Sequence, residues 1–390
     1  MGRQVIPLRG IMNLFKDILK KINRQFYNIY IIKAVSLKQF LSHLPGFLFL
    51  YIFSKGRAPF PVNITLDLNY NCNLSCGYCY LRSTINNNSA NSGQYLKSSD
   101  VRKLLGYVDK NDPTFFLTGG EPLLAKDLLD IIGLIKGRNF KCGLFTNGTL
   151  LNEAISDELV RLKLDYIFFS LDGPKDIHDS SRGRGTFEKV YSNIRYLSGK
   201  PPKIRPRLII NTVILDENIK HLLGLVDIAN NLRVDCMSLE FIRFFRKEEL
   251  SAYEDNFKRM FPQVSCGYQA YSYEPGNKYP KSLSEELGKI REYANRKKVK
   301  LLLKPDLSEK EISLWSEDGF NCQRRCFFPW NVIRISPRGE VYPCARFMVS
   351  MGNIHQDTIQ GIWNNEKFRG FRRILKKEIN MPGCSRCEKL

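Results

Sequence analysis

The chain has 390 residues, enough for one large domain and a smaller one with a sizeable core. Its 43% hydrophobic and 25% charged residues are ordinary for a soluble globular protein, and its most apolar early run (44–53) is well short of the ~20 residues a membrane span needs. A net charge of +21 points to anionic partners: nucleic acid, an acidic lipid surface or an acidic electron-transfer protein.

Residues 1–60 form a basic N-terminal extension, with ten Lys/Arg and a single acid, Asp17. Ile11, Leu14, Phe15, Ile18, Leu19 and Ile22 repeat at helical spacing over 11–23, and a second apolar stretch runs over 37–53. Such a basic amphipathic helix can lie on an anionic membrane, cover an apolar substrate tunnel, or dock on the protein's own core. From Pro61 the pattern changes. Strand-like runs at 62–68, 115–118, 143–146, 166–171, 207–214 and 235–244 alternate with helical stretches near 98–110, 124–137, 152–164, 186–198 and 218–232. Helix-length connections demand parallel pairing, so 61–245 is expected to be an open partial (β/α)6 TIM-like barrel in an α/β fold.

Residues 246–321 form a bridging, substrate-shaping region: a loop over 261–279, a helix over 283–298 and a short strand over 299–303. The last segment, 322–390, carries a β-hairpin (332–335 and 340–342, around a Pro337-Arg338-Gly339 turn) and a helix over 362–377. The one polar low-complexity loop is 86–92.

Eleven cysteines are many for this length; eight fall in groups (72/76/79, 322/326, 344, 384/387), while Cys142, Cys236 and Cys266 stand alone. The N-terminus lacks a secretory pattern, which favours metal binding over disulfides and a cytoplasmic location. The solitary three are read as small buried hydrophobes. Cys72-Asn-Leu-Ser-Cys76-Gly-Tyr-Cys79 directly follows the first strand. Four thiolates normally hold a [4Fe–4S] cube, so three leave one iron open to an exogenous chelating group. Structural zinc, the alternative, usually takes four ligands with paired spacing.

This segment resembles the radical S-adenosylmethionine (SAM) superfamily, whose C-x3-C-x-aromatic-C loop matches Cys72, Cys76, Tyr78 and Cys79. Gly119-Gly120-Glu121-Pro122 after the second strand resembles the motif that holds the SAM amino group. Thr146-Asn147-Gly148 and Ser170-Leu171-Asp172-Gly173 follow the third and fourth strands. The resemblance implies that Asn147 joins the pocket, Ser170 and Asp172 approach the SAM ribose or substrate, Arg182 meets the SAM carboxylate, and Asn211 lines the pocket. For Ser170, Asp172, Arg182 and Asn211 an ordinary turn or core-polar role stays open.

The C-terminal segment resembles the SPASM or shorter twitch extension of the same superfamily, in Cys326-Phe-Phe-Pro-Trp330, Tyr342-Pro-Cys344, Met351-Gly-Asn-Ile354, Ile362-Trp363-Asn364 and Cys384-x2-Cys387. That implies a second, auxiliary [4Fe–4S] cluster on Cys326, Cys344, Cys384 and Cys387; from spacing alone a zinc ribbon is the competing reading. Cys322 could replace Cys326 as ligand, donate a hydrogen atom to a substrate radical, or simply pack.

The activity implied is reductive cleavage of SAM to a 5′-deoxyadenosyl radical that takes hydrogen from an unactivated C–H bond. Oxidation, cross-linking or maturation of a peptide or small molecule would follow, with the auxiliary cluster assisting electron transfer. The expected reductant is a flavodoxin or ferredoxin. The basic extension permits a lipid or polyprenyl-linked substrate instead, with peripheral membrane contact through residues 1–58. RNA modification and a non-catalytic iron–sulfur role rank below these, and no nucleic acid is expected because no RNA-binding module accompanies the barrel.

Overall fold

The computed structural model describes residues 37–81, 94–108, 112–244, 254–255, 257–259, 282–315, 317, 320, 324–378, 384 and 386–387, with side chains from residue 43 onward. The stretches 11–23, 86–92 and 261–279, and with them Cys266 and Cys322, lie outside the described residues.

The six expected strands occur in order: β1 (Asn63–Asp67), β2 (Thr114–Thr118), β3 (Cys142–Thr146), β4 (Tyr166–Ser170), β5 (Arg207–Ile214) and β6 (Cys236–Phe241). Each pairs in parallel with its neighbour. The sheet then extends beyond expectation at both edges. β7 (Leu301–Lys304) adds in parallel to β6, and β8 (Val332–Ile335) adds in parallel to β1, with Asn63 opposite Val332. The short β9 (Val341–Tyr342) closes the predicted hairpin antiparallel to β8, giving the order β7-β6-β5-β4-β3-β2-β1-β8-β9. The C-terminal hairpin is therefore part of the same sheet as the barrel strands.

Strand sequences explain the two faces of the sheet. In β4, Ile167 and Phe169 join the outer core under the helices, while Tyr166 and Phe168 join a separate inner cluster with Ile209, Cys236 and Leu302. Phe116 and Phe145 pack on that inner cluster, and Phe145 stacks on Phe168 at 4.1 Å between centroids. Gly143 leaves room for the Phe116 ring, which meets this stack edge-on; a Cβ there would stand 2.9 Å from it. Cys142 and Cys236 are buried, as expected of packed thiols.

The apolar stretch 37–53 is helix α1 (Leu37–Phe53), and it docks on the chain's own core. Phe47 and Tyr51 meet the Phe327 ring edge-on at 5.7 and 5.2 Å, and Tyr51 meets Trp330 at 5.1 Å. Those partners closely follow Cys326 in sequence, so α1 backs the C-terminal cysteine site. No described helix is long and apolar enough to cross a membrane. The single helix expected over 362–377 is two, because Asn365 caps the second by accepting from Phe368 N–H at 2.9 Å. Truncating Phe168 to Ala should cost about 3–5 kcal/mol by opening the stacked inner cluster, read as a shift in the urea midpoint with an unchanged slope.

Candidate active site

Parallel strands all end on the same side, and a cavity of about 440 Å³ lies among the residues at those ends. All seven predicted metal-binding cysteines with described positions line it: Cys72, Cys76, Cys79, Cys326, Cys344, Cys384 and Cys387. Phe116, Phe145 and Phe168 line it too, so the inner cluster forms its apolar floor.

The first cysteine loop is laid against the turn after β2 by backbone contact. Gly120 N–H donates to Asn69 O at 2.9 Å and Glu121 N–H donates to Asn71 O at 2.7 Å. Glycine is required there. A Cβ would meet Asn69 O at 2.2 Å from Gly119, whose φ is +132°, and Asn71 O at 2.0 Å from Gly120. Glu121 is fully buried, and its carboxylate accepts from Thr146 Oγ1 at 2.7 Å, Asn147 N–H at 2.8 Å and Leu123 N–H at 3.1 Å. Burial pushes its carboxyl upward, and these donors oppose that. Glu121 thus ties the ends of β2 and β3 together.

Asn147 Nδ2 donates to Asn73 Oδ1 at 2.9 Å and lies 3.9 Å from Cys72 Sγ, while Leu74 N–H donates to the same sulfur at 3.5 Å. Without a cation, burial raises the Cys72 thiol to about 11. Loading metal there therefore releases protons.

A second buried carboxylate organises the other side of the loop. Asp172 accepts from Arg182 Nε at 2.5 Å, from Val213 N–H at 3.0 Å and from the Tyr78 hydroxyl. Burial alone would raise its carboxyl, but the Arg182 charge and these hydrogen bonds hold it below the ordinary range. Arg182 ends the helix Lys175–Arg182, and its charge opposes the rise that burial causes in the Cys76 thiol. Sequence periodicity did not reveal this helix, because His178 is its only buried residue.

Of the residues assigned to SAM by resemblance, Tyr78, Gly119, Gly120, Asn147, Ser170, Arg182 and Asn211 line the cavity. Asn211 Oδ1 has no hydrogen-bond partner among the described residues. Glu121, Pro122 and Asp172 are buried, and do not line the cavity. Sequence reasoning missed Asp67, Tyr80, Arg243, Glu240, Lys304 and Arg334. For Asp67 the one signal is alternation, since polar Asn63, Thr65 and Asp67 intersperse with Ile64 and Leu66.

The C-terminal thiols also share one neighbourhood. Burial pushes the Cys326 thiol far up, and the charges of Cys384, Cys387 and Cys344 add to the rise. Arg386, between the last two cysteines, is buried and donates to Trp315 O and Glu317 O, each at 2.7 Å. Among the described residues no three His, Cys, Asp or Glu side chains form a single-ion shell. Both thiol sets, with N–H groups aimed at Cys72 and at Cys344 (Phe347 N–H, 3.3 Å), suit iron–sulfur ligation.

Residues 68–229 match the radical SAM superfamily, and residues 326–388 match the SPASM iron-sulfur cluster-binding domain. The chain is 26% identical over 318 residues to the antilisterial bacteriocin subtilosin biosynthesis protein AlbA of Bacillus subtilis, covering 80% of this chain and 61% of that protein. It is 24% identical to an AdoMet-dependent heme synthase of Methanosarcina barkeri, covering 84% and 88%. Streptococcus suis SuiB bound to S-adenosylmethionine superposes with a TM-score of 0.61 at 15% identity, covering 93% of this chain and 80% of SuiB. Fold, cavity and matches define the class, an iron–sulfur enzyme that uses SAM. The chain belongs to the radical SAM superfamily and carries a C-terminal SPASM iron–sulfur domain. Its cofactors are SAM, a SAM-binding [4Fe–4S] cluster and auxiliary iron–sulfur in the SPASM domain.

His178 offers a pH test of this architecture. Its Nδ1 accepts from Asp172 N–H at 3.2 Å, and burial lowers its pKa to about 4. The unfolded chain therefore binds the extra proton first as pH falls, so stability declines from about pH 6.5 toward 4. The loss is up to about 3 kcal/mol. His178→Asn should flatten that decline, measured as the difference in urea-unfolding free energy between the two proteins at pH 6.5 and 5.

Proposed function

We propose that Cys72, Cys76 and Cys79 hold the SAM-binding cluster, and that Cys326, Cys344, Cys384 and Cys387 hold one auxiliary [4Fe–4S] cluster. The carrying observation is that all seven thiols line a single cavity at the strand ends. A bound cluster and SAM would supply one-electron reductive chemistry that ends in removal of hydrogen from an unactivated C–H bond. The chain's residues do the rest. Leu74 N–H and Asn147 stabilise the Cys72 thiolate, and the Arg182 cation stabilises that of Cys76. Gly119 and Gly120 let the loop approach closely enough to leave the cavity open beside it. Phe116, Phe145 and Phe168 exclude water from below. Tyr78, Ser170 and Asn211 present polar groups toward SAM or substrate.

The cavity of about 440 Å³ is lined by both thiol sets and by the residues assigned to SAM, so a substrate would share it with the cofactors. Modification of a peptide or a small molecule draws its support from the likeness to AlbA, a subtilosin biosynthesis protein, and to SuiB, which has also been solved with its precursor peptide SuiA. The reductant is a flavodoxin or ferredoxin, steered by the basic surface, in a reducing cytoplasm. A second reading, a lipid or polyprenyl-linked substrate with membrane contact through residues 1–58, draws support from Phe49 and Phe53. These rings are 63% and 66% exposed and 5.5 Å apart on the outer side of α1.

Anaerobically reconstituted protein given dithionite and SAM should form 5′-deoxyadenosine, with Cys76→Ala falling below about 1% of that rate. Iron-loaded wild type that forms none would overturn the reading.

A further inference from the structure

The two cysteine loops are joined across the seam where β8 pairs with β1. Thr65 of β1 stands opposite Arg334 of β8. Two residues on, Asp67 is fully buried, and its carboxylate accepts from Arg334 Nε at 2.6 Å. The same guanidinium donates through Nη2 to the Tyr80 hydroxyl at 2.9 Å. Tyr80 directly follows Cys79, and its ring lies beside two guanidinium groups, Arg334 at 5.7 Å and Arg243 at 4.9 Å. The Tyr70 hydroxyl donates to Asp67 at 3.3 Å. Tyr80, Arg243 and Arg334 all line the cavity shared by both thiol sets.

Asp67 and Tyr80 bracket the first triplet in sequence, and Arg334 lies between Cys326 and Cys344. One buried ion pair and one phenol hydrogen bond therefore connect the chain on both sides of the triplet to the hairpin that leads to Cys344. Burying the pair brings no evident gain over apolar packing, but removing one member strands a charge, so the arrangement is rigid once formed. We propose that Asp67, Arg334 and Tyr80 are positioning residues that lock the first cysteine loop to the SPASM hairpin, so that the first cluster is retained only while this seam is intact. The inference rests on the assignment of the two thiol sets to clusters.

The test follows iron loss to the chelator bathophenanthroline, with the SAM-sensitive electron paramagnetic resonance signal used to follow the first cluster. Tyr80→Phe keeps the ring and the ion pair and removes only the hydroxyl; Arg334→Lys keeps the charge and removes the fork. Both should lose the first cluster about tenfold faster than wild type, the scale of support from groups around a metal's ligands. Arg205→Met is the control. It breaks another largely buried ion pair, to Asp235 at 2.6 Å, and should lower Tm without changing iron loss. Wild-type rates in Tyr80→Phe and Arg334→Lys, or equally fast loss in Arg205→Met, would overturn the proposal. Wild type that never takes up iron would instead refute the cluster assignment itself.

Discussion

Buried carboxylates at the ends of parallel strands hold the mouth of this barrel in shape. Parallel pairing leaves neighbouring strand ends side by side with unpaired backbone groups, and those groups need partners. Glu121 supplies them between β2 and β3, and Asp172 supplies them between β4 and β5. Each carboxylate is surrounded by donors, because a buried charge without them would be costly. The first cysteine loop is then fixed from two sides. Gly120 and Glu121 bind its backbone, and Asp172 binds its Tyr78.

With that loop held, the remaining thiols reach it through the sheet. Strand β8 joins the parallel array next to β1, and the hairpin turn after it carries Cys344 back toward the cavity. Arg386 anchors the final cysteine pair to the carbonyls of Trp315 and Glu317, which precede Cys326 in the chain. Helix α1 covers the outside of that site with Phe47 and Tyr51. The resulting space has an aromatic floor, two walls of thiols and a rim of cations, a setting in which a reactive intermediate would be shielded from water.

Much of this is legible in the sequence alone. The Cys72/Cys76/Cys79 spacing is a local pattern, and strand–helix alternation is visible in hydrophobic period, so the six barrel strands and their order were readable. The joining of β8 to β1 was not, because the contact spans most of the chain and leaves no local trace. The same reason hid the Asp67–Arg334 pair, separated by 267 residues. The helix ending at Arg182 escaped notice because Lys-Asp-Ile-His-Asp-Ser-Ser-Arg has almost no apolar stripe. Glu121 and Asp172 were found by motif, but burial gives their carboxylates work between strands that spacing alone could not show.

The first site is proposed to hold a cube on three thiolates, with one iron open to SAM. This is tested most directly in protein carrying Cys344→Ala and Cys384→Ala, where only the first site can keep a cluster. About four irons per chain are expected, with a reduced-state paramagnetic signal whose g values move when SAM is added. Zinc in place of iron, or a cluster signal indifferent to SAM, would contradict it.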